Sequence, residues 1–409
     1  MKKKTFGLLG KKLGHSFSPL IHGVLGEYDY PLYEVSPEDL DEFMTERRFD
    51  GINVTIPYKQ AVTPYCASLS DEARAIGNVN TIVKDGDNRL HGYNTDYHGF
   101  CVMLKRGRID PKGEKVLVLG DGGSARTVRA ALGALGAREV VTISRRGENH
   151  YGNIARHEDA GIIINTTPVG MYPDNASCPL RLTGFPRLTG VADLIYNPAR
   201  TNFLLEAERL GVPNINGLSM LAAQAEMASR FFINVPARPE LVDVILRVLL
   251  QKTQNIALIG MPGCGKSTVG QILARTVGRP FTDIDERIEA IAGKSIPELF
   301  AEDGESTFRR WETRVLAEEA KKSGVVIATG GGVVTQPENR DILRQNSLIV
   351  YLQRDPAQLM TDGRPLSQMM GIQALAEQRL PLYEAWSDRA VKVEDTPEQT
   401  AARVLEVII

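Results

Sequence analysis

The sequence predicts an α/β protein built from more than one domain, and three observations carry that expectation. Two stretches pass from a buried apolar strand through a glycine turn into a helix. One is Lys115-Val116-Leu117-Val118-Leu119-Gly120 with a helix from Ser124 to Leu135, and the other is Asn255-Ile256-Ala257-Leu258-Ile259-Gly260. Between them an amphipathic helix pattern from Pro239 to Gln251, with Leu241, Ile245, Val248 and Leu249 on one face, stops at Lys252-Thr253-Gln254. Finally, 409 residues are more than one hydrophobic core ordinarily organises.

The elements follow in order. Phe6–Leu9 reads as a strand, Pro19–Tyr28 as a helix and Ile52–Ile56 as a strand. After the helix at 124–135, Val140–Ser144 and Ile162–Asn165 continue as strands, a dinucleotide-type βαβ series. Residues from about Asn216 onward are expected to return to the first lobe. The expected division is residues 1–252, as one lobe of 1–109 plus 215–252 and another of 110–214, followed by residues 253–409.

Composition narrows the function classes. With 48 basic and 50 acidic residues and a net charge of −2, the chain lacks the broad basic surface of a nucleic-acid partner. The apolar run after the N-terminal lysines is too short for a signal peptide, and no run approaches a membrane span. Cys66, Cys101, Cys178 and Cys264 are scattered without metal-type spacing, as reduced thiols of a cytoplasmic protein are. Small-molecule partners are expected; no oligomeric state is specified.

Gly120-Asp121-Gly122-Gly123-Ser124-Ala125 matches G-x-G-x-x-A between strand and helix. The glycines permit a tight turn and close backbone approach to a pyrophosphate, and the helix N-terminus presents free N–H groups. About 24 residues beyond Gly120, where an NAD site places an acid, stand Arg145 and Arg146. Two guanidiniums there suit the 2′-phosphate of NADP(H). A solvated surface pair is the alternative. Asp121 is a departure, because a carboxylate beside a pyrophosphate weakens binding unless it faces solvent.

Polar clusters surround this loop in sequence. Ser16 and Ser18 precede Pro19, and Ser18 there also fits a helix cap. Asn53-Val54-Thr55-Ile56-Pro57-Tyr58-Lys59 sets a lysine at a strand end. Gly77-Asn78-Val79-Asn80-Thr81 and Gly92-Tyr93-Asn94-Thr95-Asp96 add amides, hydroxyls and a carboxylate. Together with Asn165–Met171, Asp193–Pro198 and Asn216–Gln224, these segments resemble the shikimate dehydrogenase family from residue 5 to about 250. The resemblance implies a two-lobed fold with a Rossmann-type NADP lobe. It implies that Ser16, Ser18, Thr55, Asn80, Asp96, Tyr196 and Gln224 hold the substrate, with Lys59 and Asp96 as the catalytic pair. It implies reduction of 3-dehydroshikimate to shikimate. Only some twenty residues separate Arg145 from Asn165, so a helix usual in the family is trimmed.

Gly260-Met261-Pro262-Gly263-Cys264-Gly265-Lys266-Ser267, followed by Thr268, is a full phosphate loop. Its backbone N–H groups cradle ATP phosphates, Lys266 reaches the outer ones and Ser267 binds Mg²⁺. With Asp283-Ile284-Asp285, Phe308-Arg309, Gly330-Gly331-Gly332, Gly363-Arg364-Pro365 and Arg379-Leu380-Pro381, residues 255–409 resemble the shikimate kinase family, a nucleoside-monophosphate-kinase-like α/β fold. The resemblance implies that Asp285, Arg309, Gly331 and Arg379 bind shikimate, with Asp285 catalytic beside Lys266. Asp283 assists Mg²⁺ and Arg364 closes over phosphate. The lid before Arg364 is short and lacks an upstream arginine common in the family. Two alternatives stand beside this reading: a quinate-pathway regulator reusing both domains, and an NAD-linked quinate/shikimate enzyme.

Overall fold

A computed structural model describes residues 3–14, 16–359 and 371–408. The chain divides into two compact units, Met1–Tyr196 with Thr201–Leu249, and Asn197–Arg200 with Leu250–Ile409.

The first unit holds two sheets. Strands β1 (Phe6–Gly10), β2 (Leu32–Glu34), β3 (Gly51–Val54), β4 (Ser68–Leu69), β5 (Thr81–Lys84) and β6 (Leu90–Tyr93) form one, in the order β2-β1-β3-β5-β6-β4. Only β5 runs antiparallel to its neighbours, which sets Asn53 opposite Thr81 and Thr81 opposite Tyr93. Strands β7 (Lys115–Leu119), β8 (Glu139–Ile143), β9 (Ile162–Asn165), β10 (Gly190–Asp193) and β11 (Asn214–Asn216) form the second, all parallel, in the order β11-β10-β9-β7-β8. Val116–Leu119 are buried throughout, as a strand covered on both faces requires. Strand order reverses between β7 and β9, so a crevice opens beyond their carboxyl ends, where such sheets bind ligands.

The helices Thr95–Arg106 and Leu218–Ile233 close against each other. A Cβ on Gly99 would stand 2.6 Å from the Met220 carbonyl oxygen, so only glycine permits the approach. Leu218, Ala222 and Ala225 pack with Ile21, Leu25, Val242, Ile245 and Leu249, which ties the last two helices of the unit to the first lobe.

Three local expectations are corrected. The strand read over 52–56 ends at Val54: the chain turns through a Tyr58 N–H to Thr55 C=O bond of 2.9 Å, and Ile56 is 76% exposed. The helix read over 19–28 spans Ser18–Leu25 and stops at Gly26. Ser18 is its first residue rather than its cap; Phe17 holds the cap position, and the Ser16 hydroxyl accepts the Ser18 N–H at 3.2 Å.

The second unit is a single parallel sheet of β12 (Asn255–Ile259), β13 (Phe281–Asp283), β14 (Val326–Ala328), β15 (Ser347–Gln353) and β16 (Arg389–Lys392), in the order β13-β14-β12-β15-β16. The central strand β12 delivers the chain into the phosphate loop and the helix Lys266–Val277. Among the described residues no helix is long and apolar enough to cross a membrane.

Two candidate active sites

In the first unit, local capping aims the expected catalytic groups. Asn94 caps the helix Thr95–Arg106, its side chain accepting the Tyr97 N–H at 3.1 Å. That fixes Asp96 in the first turn, where its Oδ2 accepts from Lys59 Nζ at 2.6 Å. The two side chains are 24% and 13% exposed, so the pair is shielded yet reachable.

Hydrogen bonds join several of the other expected substrate residues. Ser16 Oγ donates to Ser18 Oγ at 3.1 Å. Tyr30 donates to Asn53 Oδ1 at 2.6 Å. Asn53 Nδ2 donates to Thr81 Oγ1 at 3.0 Å and to the Asn80 carbonyl at 3.4 Å. Asn80 Nδ2 donates to Thr95 Oγ1 at 3.1 Å and to Gln224 Oε1 at 3.2 Å, while its Oδ1 accepts the Thr95 N–H at 2.7 Å. Thr55 follows the end of β3, four residues before Lys59. Tyr196 follows β10, its ring 6.4 Å from that of Phe17.

At the crevice of the second sheet, Gly120 has φ +101, and a Cβ there would lie 2.9 Å from Thr166 Oγ1. Gly122 caps the helix Gly123–Ala134 without a side-chain bond, leaving its first N–H groups, Ser124 and Ala125 included, for an outside acceptor. A Cβ on Gly122 or Gly123 would meet nothing within 4 Å, so the loop borders open space. Asp121 is exposed and its Oδ1 accepts from Arg129 Nη1 at 2.9 Å. That hydrogen bond and charge hold its carboxyl below the ordinary value, and the loop's negative charge is offset. Arg145 and Arg146 follow β8, exposed, with no hydrogen bond or ion pair among the described residues. Between β8 and β9 the trimmed segment is a 3-10 stretch, Tyr151–His157.

In the second unit Gly263, Gly265, Lys266, Ser267, Thr268, Asp285, Arg309, Gly331 and Arg379 line one cavity of about 580 Å³. Gly263 and Gly265 have φ +81 and +101, and the helix they precede carries no side-chain cap. Gly260 and Cys264 support the loop from beneath: a Cβ on Gly260 would lie 2.7 Å from the Leu352 carbonyl oxygen, and Cys264 is wholly buried. Lys266 folds onto its own loop, Nζ donating to the carbonyls of Gly260 at 2.9 Å and Met261 at 3.0 Å. Asp283 Oδ1 accepts the N–H of Asp285 at 2.9 Å and of Glu286 at 3.4 Å, capping the helix Ile284–Ala292. Arg364 lies outside the described residues.

Asp285 is strongly perturbed in this cavity. Burial pushes it up to about 7; Glu312 and Asp283 add to the rise, while Lys266 and Arg309 oppose it. Its Oδ1 has no hydrogen-bond partner among the described residues, and neither has Glu312 Oε1. Arg309 Nη1 donates to Glu312 Oε2 at 2.7 Å, and its Nη2 and Nε reach Glu305 Oε1 at 3.2 and 3.3 Å. Arg379 Nη1 donates to the Gly331 carbonyl at 3.2 Å, and its Nε has no partner among the described residues.

Comparison with known proteins bears on both units. The NADP(+) shikimate dehydrogenase of Clostridium perfringens is 37% identical over 251 residues, spanning 56% of this chain and 92% of the relative. That of Carboxydothermus hydrogenoformans is 38% identical over 252 residues, 55% of this chain and 90% of the relative. The chain belongs to the shikimate dehydrogenase family. Residues 8–82 match the model of the shikimate dehydrogenase substrate binding domain, and residues 262–409 match that of shikimate kinase. The chain is thus a shikimate dehydrogenase fused to a shikimate kinase domain. Among solved structures, a chorismate mutase/shikimate 5-dehydrogenase fusion protein from Clostridium acetobutylicum is similar at TM-score 0.58 and 36% identity, covering 61% of this chain and 97% of that one. Shikimate 5-dehydrogenase from Thermus thermophilus, in complex with NADP(H) and shikimate, is similar at TM-score 0.55 and 33% identity, covering 60% and 98%.

Sequence reasoning missed several residues of both sites. In the dehydrogenase unit Tyr30, Asn53 and Thr95 join the hydrogen bonds around Asn80, an expected substrate group, and Thr166 packs under the glycine loop. In the kinase unit Glu312, fully buried, anchors Arg309. Its only sequence signal was its place three residues after Arg309, on the same helix face.

Proposed function

We propose that the first unit reduces 3-dehydroshikimate to shikimate with NADPH, and that the second phosphorylates shikimate to shikimate 3-phosphate with ATP and Mg²⁺, in aromatic amino acid biosynthesis. The observation that carries the reading is the shielded Lys59–Asp96 pair at 2.6 Å beside the amide and hydroxyl cluster of Asn80, Thr95 and Gln224. A cyclic polyhydroxy acid needs such a clamp. Ser16 and Ser18 suit its carboxylate, while Thr55, Asn80, Asp96, Tyr196 and Gln224 suit its hydroxyls. The Lys59 ammonium stabilises charge growing on the ketone oxygen and passes it a proton, with Asp96 orienting the amine. The nicotinamide supplies the hydride when bound. The uncapped helix at Gly122 suits its pyrophosphate and the free guanidiniums of Arg145 and Arg146 its 2′-phosphate.

In the kinase unit the uncapped loop at Gly265 fits the ATP phosphates, and Lys266 would exchange its carbonyl partners for phosphate oxygens. Ser267 and the free oxygen of Asp283 suit Mg²⁺. Arg309 and Arg379 receive the carboxylate of shikimate, Gly331 lets it approach, and Asp285 accepts the proton of the attacked hydroxyl. Lys59, Asp96, Lys266 and Asp285 all stand at their sites, a provision that a sensor of the same ligands does not require.

The test is assay of the purified chain. NADPH should be consumed when 3-dehydroshikimate is added, and ADP should form when shikimate and Mg-ATP are added. A folded protein that binds both acids without turning either over would refute the proposal in favour of a sensor.

A further inference from the structure

The kinase unit contains a second cavity, of about 770 Å³, walled by the helix Glu305–Ala320, the start of the helix Pro337–Asn346 and the helix Ile372–Trp386. It includes no phosphate-loop residue and shares only Arg309 and Arg379 with the cleft described above.

Its charge is one-sided. Arg309, Arg310, Arg314 and Arg379 line it, against Glu305 and Glu338. Arg309 is already held by Glu305 and Glu312. The other three form no ion pair among the described residues, although the charges of Glu305 and Glu312 reach Arg379. Arg310 Nη2 donates to Thr307 Oγ1 at 3.0 Å, Arg314 lies over the Trp311 ring at 5.6 Å, and Arg379 Nη1 donates to a carbonyl. Arg379 is only 3% exposed, with Nε lacking an acceptor among the described residues. The Thr313 hydroxyl is also buried without a partner among the described residues. The helix Pro337–Asn346 adds an N-terminus that no side chain caps. A buried guanidinium without an anion is costly, and orphaned donors beside it call for an acceptor from outside.

We propose that this cavity is a second anion site, taking a small multivalent anion built of phosphate or carboxylate groups and coupled negatively to shikimate binding. The class follows from the chemistry: guanidinium forks and a helix N-terminus recognise phosphate and carboxylate oxygens. The coupling follows from Arg309 and Arg379, which face both cavities. A guanidinium drawn to an anion on one side is withheld from the other, and the two anions repel. The coupling, though not the site itself, rests on the kinase reading above.

The test uses the full chain with its phosphate loop filled by a non-hydrolysable Mg-ATP analogue, at constant ionic strength. Inorganic phosphate and, separately, citrate are titrated calorimetrically into the wild type and into Arg310→Gln/Arg314→Gln, which alters two residues outside the acceptor cleft. Binding of at least one anion should be seen in the wild type and lost in the double variant, and Arg310→Lys/Arg314→Lys should restore it in part. In turnover assays at saturating ATP that anion should raise the KM for shikimate by about 5- to 150-fold at saturation, with kcat unchanged. Binding and inhibition equal in wild type and the Gln variant would overturn the proposal, as would absence of binding by both anions. If the wild type does not phosphorylate shikimate at all, the kinase reading fails, while the calorimetric difference still decides the site.

Discussion

Asp285→Asn should stabilise the kinase unit while disabling it. The substitution keeps the shape of a side chain held at about 7 by burial against an ordinary 3.8. Between those values the unfolded chain has released the proton and the folded chain has kept it, so stability falls as pH rises from 3.8 to about 7. Above 7 the folded state carries the whole penalty. Roughly three pH units at about 1.36 kcal/mol each make about 4 kcal/mol. An asparagine amide in the same place keeps a desolvation cost of about 1–3 kcal/mol. The buried protonated acid carries a cost of similar size, so these two cancel and the net gain is about 4 kcal/mol at pH 8 and close to zero at pH 4. Both tryptophans of the chain, Trp311 and Trp386, lie in the kinase unit, so urea unfolding followed by their fluorescence reports on that unit. Kinase turnover at pH 8 should fall by about 10²- to 10⁴-fold, the range for a general base. A gain of the same size at pH 4 and pH 8, or a loss at pH 8, would refute the reasoning.

Lys59→Ala should lower dehydrogenase turnover by about 10²- to 10⁴-fold and leave phosphorylation unchanged; loss of both activities in a folded protein would show that the sites are not independent. Arg379→Ala should raise the KM for shikimate by about 10- to 150-fold, from the 1.5–3 kcal/mol of a charge-assisted bond, with little change for ATP in steady-state kinetics. Arg309→Ala should also destabilise the kinase unit by about 3–5 kcal/mol, because Glu312 loses its partner, a difference that urea unfolding of the two variants resolves. The dehydrogenase should favour NADPH over NADH by about 10- to 150-fold, and Arg145→Ala should shrink that ratio; equal specificity constants in the wild type would count against the 2′-phosphate role.

Much of the fold was legible because steric rules leave local marks. The turns at Gly120 and Gly260 need positive φ, of +101 and +149, and only glycine adopts them freely. The strands around them are unbroken apolar runs of the kind buried on both faces. Boundaries were less legible where a pattern outran the backbone. Ile52, Val54 and Ile56 alternate as a strand does, yet the turn into Tyr58 ends pairing at Val54 and turns Ile56 outward. At Ser18 a cap-type residue before proline fell inside the helix, because the Ser16 hydroxyl served the first N–H instead.

The sites divide the same way. The phosphate loop and the glycine loop are contiguous, and their chemistry can be read in place. The convergence of Asn80 and Gln224 depends on the order of the first sheet and on the close approach at Gly99, which no local signal encodes. Glu312 is harder still. On a helix with several acids it reads as a surface charge, and only burial opposite Arg309 shows that it fixes a guanidinium. Asp121 is the converse case: alarming in sequence, it is balanced by Arg129 one helical face away.

The central claim is that one chain carries out consecutive reactions on shikimate. It is tested most directly by incubating the wild type with 3-dehydroshikimate, NADPH and Mg-ATP, and following NADPH by absorbance and the phosphate ester by ³¹P NMR. The account predicts one shikimate 3-phosphate formed for each NADPH consumed, with no phosphate ester when NADPH is left out. Phosphorylation without NADPH, or NADPH oxidation with no phosphate ester, would contradict it.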